Sequence, residues 1–208
     1  MWPRREFCAY SGHEMARNER VIEVRRESSE AIDQYGQIPT AFLVTSVLQP
    51  RVSDSAPSGY ELVEHPVNLP YIKNYDAIHG NRPVDWPRQF DVSDWQIFSA
   101  FDADQRVGGA IAIANAAAGS AVTPYAELWD LRVDPAYRRQ NVGSALLRSV
   151  ELWATEQGCR TLRIETQHIN VAACQFYQQQ GCTLHSVKAG AYPELPDEIR
   201  LIWVKGVG

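Results

Sequence analysis

The sequence predicts an α/β fold with a mixed sheet, and three observations carry that reading. Short β-branched or aromatic runs recur in both halves of the chain. Two amphipathic helical stretches stand between strands in the second half. The hydrophobic share, 45% of 208 residues, is enough to bury a sizeable core. Six Trp, nine Tyr and six Phe exclude a disordered chain. No run approaches the roughly 18 apolar residues of a membrane span, so no membrane partner is expected. A formal charge of −5 argues against nucleic acid as the main partner and suits a cationic ligand.

In chain order, residues 1–37 are charged and end at Gly36. Val21, Val24, Ser28, Ile32 and Tyr35 fall near helical spacing, so a helical N-terminal arm is expected there, ahead of a single domain over 38–208. The run from Ala41 to Leu48 reads as a strand, followed by a polar loop over Arg51–Gly59. Four prolines between Pro66 and Asp91 leave room only for short helices. Trp95–Phe101 and Val107–Asn115 read as a hairpin, and Ala126–Val133 as another strand. Asn141–Gln157 is the clearest helix: Val142, Ala145, Leu146, Ser149, Val150 and Trp153 line one stripe, and Gly158 stands at the C′ position. Thr161–Glu165 is a short strand, Val171–Gln180 a helix closed by Gly181, and Thr183–Lys188 and Glu198–Val204 two last strands.

The start of the long helix carries chemistry. A strand ends at Val133, Pro135 breaks it, Arg138 and Arg139 follow, and the helix begins among small residues. The free N–H groups of a helix N-terminus make an anion site. Gly143 allows close backbone approach, Ser144 adds little bulk, and the arginines can pair with phosphate oxygens. By itself the segment reads equally well as a capped helix with a solvated arginine pair.

The stretch Arg138-Arg139-Gln140-Asn141-Val142-Gly143 resembles the pyrophosphate-binding motif R/Q-x-x-G-x-G/A of the GNAT acetyltransferase superfamily. Asn141 stands where the first glycine is usual, and Asn tolerates left-handed backbone geometry best among non-glycine residues. The block Glu165…Asn170-x-x-Ala173-x-x-Phe176-Tyr177 followed by Gly181 resembles the next strand–helix segment of that superfamily. Within it, Glu165-Thr166-Gln167, the tail Glu198-Ile199…Trp203 and the upstream run Gly59-Tyr60-Glu61-Leu62…Asp76 are most similar to streptothricin acetyltransferases, from about residue 40 onward.

The resemblance implies a mostly antiparallel mixed sheet flanked by helices, with a central β-α-β-α-β segment that binds acetyl-CoA as co-substrate and needs no metal. It implies a small-molecule amine as acceptor, the β-lysyl amine of streptothricin first, and it leaves a homodimer open. Cofactor-binding positions are Arg138, Arg139, Gln140, Asn141, Val142, Gly143 and Ser144 for the diphosphate. Leu131 and Val133 would add backbone N–H groups, and Asn170, which also caps a helix, would hold the pantetheine arm. Tyr177 is the candidate general acid, Asp130 the first candidate base and Glu165 the second. Each has a plainer reading: a core tyrosine, an acid paired with Arg132, and an exposed strand acid near Arg163. Strict alternation puts Glu127 and Asp130 on opposite faces, and a β-bulge would bring both to one cleft. Glu127, Tyr192 and Glu194 are candidate acceptor contacts, although Tyr192–Asp197 also reads as a solvated loop.

Tyr71, Tyr75, Trp86, Phe90 and Trp95 are read as core and lid packing, and His168 as solvent-facing. Four cysteines without CxxC spacing, and a Met1 end without an apolar run, predict free thiols and a cytoplasmic setting. Two other readings compete. One keeps the chemistry and changes the amine to an aminoglycoside, a polyamine or a protein N-terminus. The other is a non-catalytic CoA-binding module.

Overall fold

The computed structural model describes residues 21–115 and 123–208. They form a seven-stranded mixed sheet, a separate two-stranded sheet and two long helices. The elements are β1 (Ile22–Glu27), α1 (Ile32–Tyr35), β2 (Phe42–Val52), β3 (Tyr60–Lys73), β4 (Gln96–Asp102), β5 (Gln105–Asn115), β6 (Tyr125–Val133), α2 (Val142–Glu156), β7 (Thr161–Gln167), α3 (Val171–Gln179), β8 (Thr183–Lys188) and β9 (Arg200–Gly206). The large sheet runs β1-β4-β5-β6-β7-β9-β8, and β2 pairs with β3. Among the described residues β6–β7 is the only parallel pair, which makes β6-α2-β7-α3-β8 the expected central unit.

Two expectations are corrected. Residues 22–27 are not helical: they pair antiparallel with β4 from Ile22↔Asp102 to Glu27↔Ile97. From Ile22 to Arg25 burial alternates with period 2, and the helical spacing belongs only to the last turn, where Ile32 and Tyr35 are buried. This part of the segment expected to stand apart as an arm is therefore built into the sheet; residues 1–20 lie outside the described part. The prolines also did not stop a strand. Pro66 and Pro70 both lie in β3, which among the described residues has only β2 beside it. They flank an irregularity where Val44↔Tyr71 gives way to Ser46↔Pro66, so their missing N–H groups cost the ladder little. Short 3-10 turns do follow, at Tyr75–Ala77 and Pro83–Arg88.

Small residues on β5 set the layer spacing on both faces. A Cβ on Gly108 would lie 2.9 Å from Val142 Cγ1, so α2 packs directly on the backbone there. One residue on and facing the other way, a Cβ on Gly109 would lie 2.7 Å from the ring of Tyr35, which is 0% exposed. The helix face buries Val142, Leu146, Leu147, Val150, Trp153 and Ala154, each large aliphatic side chain contributing about 1.5–3 kcal/mol. The opposite face holds a smaller cluster of Ile32, Tyr35, Trp86, Trp95, Ile97 and Ile111. No helix among the described residues is long and apolar enough to cross a membrane. Cys159, Cys174 and Cys182 are free and buried.

Candidate active site

The site begins with one extra residue. Ile111 faces Asp130 and Ala112 faces Leu128, so Trp129 is a bulge in β6. The bulge reverses the alternation of side chains. Ala126 and Leu128 before it, and Leu131 and Val133 after it, all pack on the helix face. Glu127 and Asp130, paired with Ile113 and Ile111, consequently share the opposite face. At the same point β6 leaves β7: among the described residues their pairing ends at Leu128↔Ile164, while β7 continues beside β9 to Gln167. The Asp134 N–H donates to Val107 O at 2.9 Å. Alternation then turns the polar groups of Leu131 and Val133 away from β5 and into the gap between β6 and β7.

On the helix side, the gap is bounded by the start of α2. Asn141 takes the left-handed conformation, φ 63° and ψ 5°, as its residue type suggested, and Arg139 takes φ 64°. The Asn141 side chain makes no cap hydrogen bond to the helix, so the first-turn N–H groups of Val142, Gly143 and Ser144 have no side-chain acceptor from the cap. Val142 itself is buried and offers only its backbone. Gly143 serves packing as well: a Cβ there would lie 3.3 Å from Phe176 Cζ. Arg138 braces the loop, donating to Val133 O at 3.2 Å and Ala41 O at 3.3 Å, and Gln140 donates to Ala136 O at 2.8 Å.

On the other side, the acids gather. Burial lifts the Glu127 carboxyl above the ordinary carboxylate range; Arg163 pulls against this and Glu165 adds to it. Glu165 accepts a hydrogen bond from the Tyr192 hydroxyl at 2.8 Å, and Gln167 donates to that hydroxyl at 3.1 Å. Tyr192 is thus part of the cleft and not a solvated loop residue, and burial with the Glu165 bond raises its phenol well above the usual range. Glu194 lies farther out, lining a cavity of about 360 Å³ with Tyr71, His168 and Glu198.

Asp130 sits in a different arrangement. Its Oδ2 accepts from the Arg132 Nε and, at 2.9 Å, from the Tyr35 hydroxyl. Arg132, 2% exposed, also makes two bonds of 3.0 Å to the carboxylate of Asp76. Asp130 therefore holds a buried guanidinium, the plainer of its two sequence readings. Tyr177 comes from α3 and is 6% exposed. Burial, then the charge of Asp130, pushes its phenol well above the ordinary tyrosine range, so it stays protonated. Asn170 caps α3, its Oδ1 accepting the Ala173 N–H at 3.2 Å.

The acetyltransferase (GNAT) family model matches residues 70–182, more than half of the chain. The chain belongs to the GNAT acetyltransferase family. Streptothricin acetyltransferase A of Bacillus subtilis (strain 168) is 37% identical over 81 residues, 38% of this chain; the match spans about half (47%) of that relative's length. The streptothricin acetyltransferase of Escherichia coli is 27% identical over 165 residues, 78% of this chain and 83% of its own. A Bacillus anthracis str. Ames protein, solved in complex with acetyl coenzyme A, shares the fold with a TM-score of 0.70 at 24% identity, over 89% of this chain and 99% of that one.

In this GNAT chain several contributors escaped the sequence reading. Arg132 and Asp76 meet across 56 positions, and nothing in a sequence marks such a pair. Glu198 is 6% exposed and joins Lys73 and the Tyr75 hydroxyl, tying β3 to the segment before β9. His168 is 5% exposed and not solvent-facing: its Nδ1 accepts the Ile199 N–H at 3.0 Å. The demand that Glu127 and Asp130 share a cleft already pointed to a bulge, although not to Trp129 as its extra residue.

Proposed function

We propose that this chain transfers the acetyl group of acetyl-CoA to a primary amine of a cationic small molecule, with the β-lysyl amine of streptothricin as the first acceptor to test. One observation carries the reading: β6 and β7 part at the Trp129 bulge, leaving a gap with an uncapped helix N-terminus on one side and carboxylates on the other. The parts fit acetyl-CoA. First-turn amides of α2 suit a diphosphate, with Ser144, Arg139, Gln140 and the remaining donors of Arg138 beside them. Asn170 and the N–H groups of Leu131 and Val133 suit the amide-bearing arm. Bound there, acetyl-CoA supplies an activated acyl carbon to the gap.

The chain's own residues then have separable tasks. An alkyl amine with pKa about 10.4 is neutral in roughly one molecule in a few thousand at pH 7, a deficit of about 4–5 kcal/mol. Glu127, held above the ordinary carboxylate range, is the better matched proton acceptor, directly or through water, with Glu165 beside it. Asp130 contributes negative charge while it holds Arg132. Backbone N–H groups at Leu131 and Val133 polarise the acetyl carbonyl. Tyr177 stays a firm hydrogen-bond donor for the departing sulfur. The two E. coli and B. subtilis relatives support streptothricin as the acceptor to try first.

Release of the CoA thiol, measured with streptothricin, an aminoglycoside, a polyamine and a peptide N-terminus, tests the proposal. Fast release with streptothricin alone supports it. Release with another amine moves the acceptor, and binding of CoA with no release on any amine removes the transferase reading.

A further inference from the structure

The aromatic cluster beside the acids divides in two. Trp86 and Trp95 are 5% and 7% exposed and belong to the core, as expected from sequence. Trp129 and Phe90, stacked on them, are 36% and 43% exposed. Trp129 lies 4.8 Å from Trp95, 5.1 Å from Phe90 and 6.1 Å from Trp86, centroid to centroid, so its ring is held on three sides. It reaches this place only because the bulge adds it to β6, at the residue where β6 and β7 separate. Glu127 and Asp130 stand on either side of it in sequence and on the same face of the sheet.

We propose that Trp129, backed by Phe90, is a stacking platform for a planar cation, such as a guanidinium, carried by the acceptor away from the amine that is acetylated. Three features point the same way. An indole face carries negative potential, and Glu127, which forms no ion pair among the described residues, shares its face of the sheet, so the rim favours cations. A guanidinium keeps weakly hydrated faces, so stacking costs it less water than an ammonium would lose. The cluster already holds one such group from within: the Arg132 guanidinium lies 5.7 Å from the Trp86 ring and 5.3 Å from the Tyr35 ring. This inference rests on the acceptor reading above, since it concerns which amines the cleft selects.

Agmatine, with a primary amine and a guanidinium, and putrescine, with two amines on the same four-carbon chain, are the probes. In Trp129→Leu, the Kd for agmatine, read by calorimetry, should rise about tenfold, the equivalent of about 1.4 kcal/mol. The Kd values for putrescine and for acetyl-CoA should stay within about twofold. Phe90→Leu should give a smaller shift in the same direction and serves as the second variant if Trp129→Leu folds poorly. Agmatine bound through Trp129 keeps the platform whether or not agmatine is acetylated, and the thiol-release panel decides the transferase reading separately. Equal losses for both probes, an unchanged agmatine Kd, or no agmatine binding by the unaltered chain would overturn the platform.

Discussion

Asp130→Asn separates a catalytic acid from a structural one. In the structure Asp130 shares the Arg132 charge with Asp76, and Arg132 is 2% exposed. Asparagine can still accept from Tyr35 and from the guanidinium, so the change removes charge rather than geometry. A hydrogen bond to a charged group contributes about 1.5–3 kcal/mol, and Asp76 remains to hold Arg132, so a loss of about 2 kcal/mol is expected. At about 2–4 °C per kcal/mol for a chain of this size, Tm should fall by about 4–8 °C. Arg132→Met should cost more, about 3–5 kcal/mol, because it strands two carboxylates. Thermal melting with thiol release assayed well below Tm checks both. If Asp130 only holds Arg132, kcat for Asp130→Asn stays within about threefold and the pH–rate profile keeps its shape. A fall of about 10²–10⁴ without a change in Tm, or a shifted acid limb, would refute this assignment and restore Asp130 as the base.

Glu127→Gln should lower kcat by about 10²–10⁴ and remove the acid limb of the pH–rate profile, read by thiol release. Its effect on stability has the opposite sign. A folded pKa raised by burial means the carboxyl's contribution is present below its unfolded pKa and is lost as pH rises through the folded one. Glu127→Gln therefore raises Tm at pH 7, and the gain fades as pH falls into the ordinary carboxylate range. Tyr177→Phe should lower kcat with CoA affinity unchanged by calorimetry, whereas turnover within twofold would make Tyr177 packing alone. Asn141→Gly should keep or improve acetyl-CoA affinity because φ is already 63° there, and Asn141→Ala should weaken it; a large loss in the glycine variant would mean the Asn141 side chain itself binds. Gly109→Ala should prevent stable folding, because its Cβ meets the buried Tyr35 ring at 2.7 Å and Phe98 O at 3.1 Å; a soluble variant with unchanged Tm would contradict that packing.

The sequence by itself determined the local chemistry of this protein. Period and turn residues located the strands and helices from β4 onward, since hairpin turns, caps and stripes are short-range signals. The Arg138–Gly143 stretch announced a helix start open to an anion, and Asn141 met the left-handed geometry its residue type allows. Asn170 as a cap and Glu127 with Asp130 on one face, given a bulge, were legible too. Tertiary structure alone decided what those groups do. Ile22–Glu27 has too few residues to declare itself, and only β4 makes it a strand. Pro66 and Pro70 look like breakers until their strand is seen to have one neighbour, β2, among the described residues. Asp130 became a partner of Arg132 because Tyr35 and Asp76 arrive from distant parts of the chain, and Glu127 became a weaker acid than an ordinary carboxyl because packing removed its water. Burial and long-range charge pairing are sums over neighbours that no window of sequence contains.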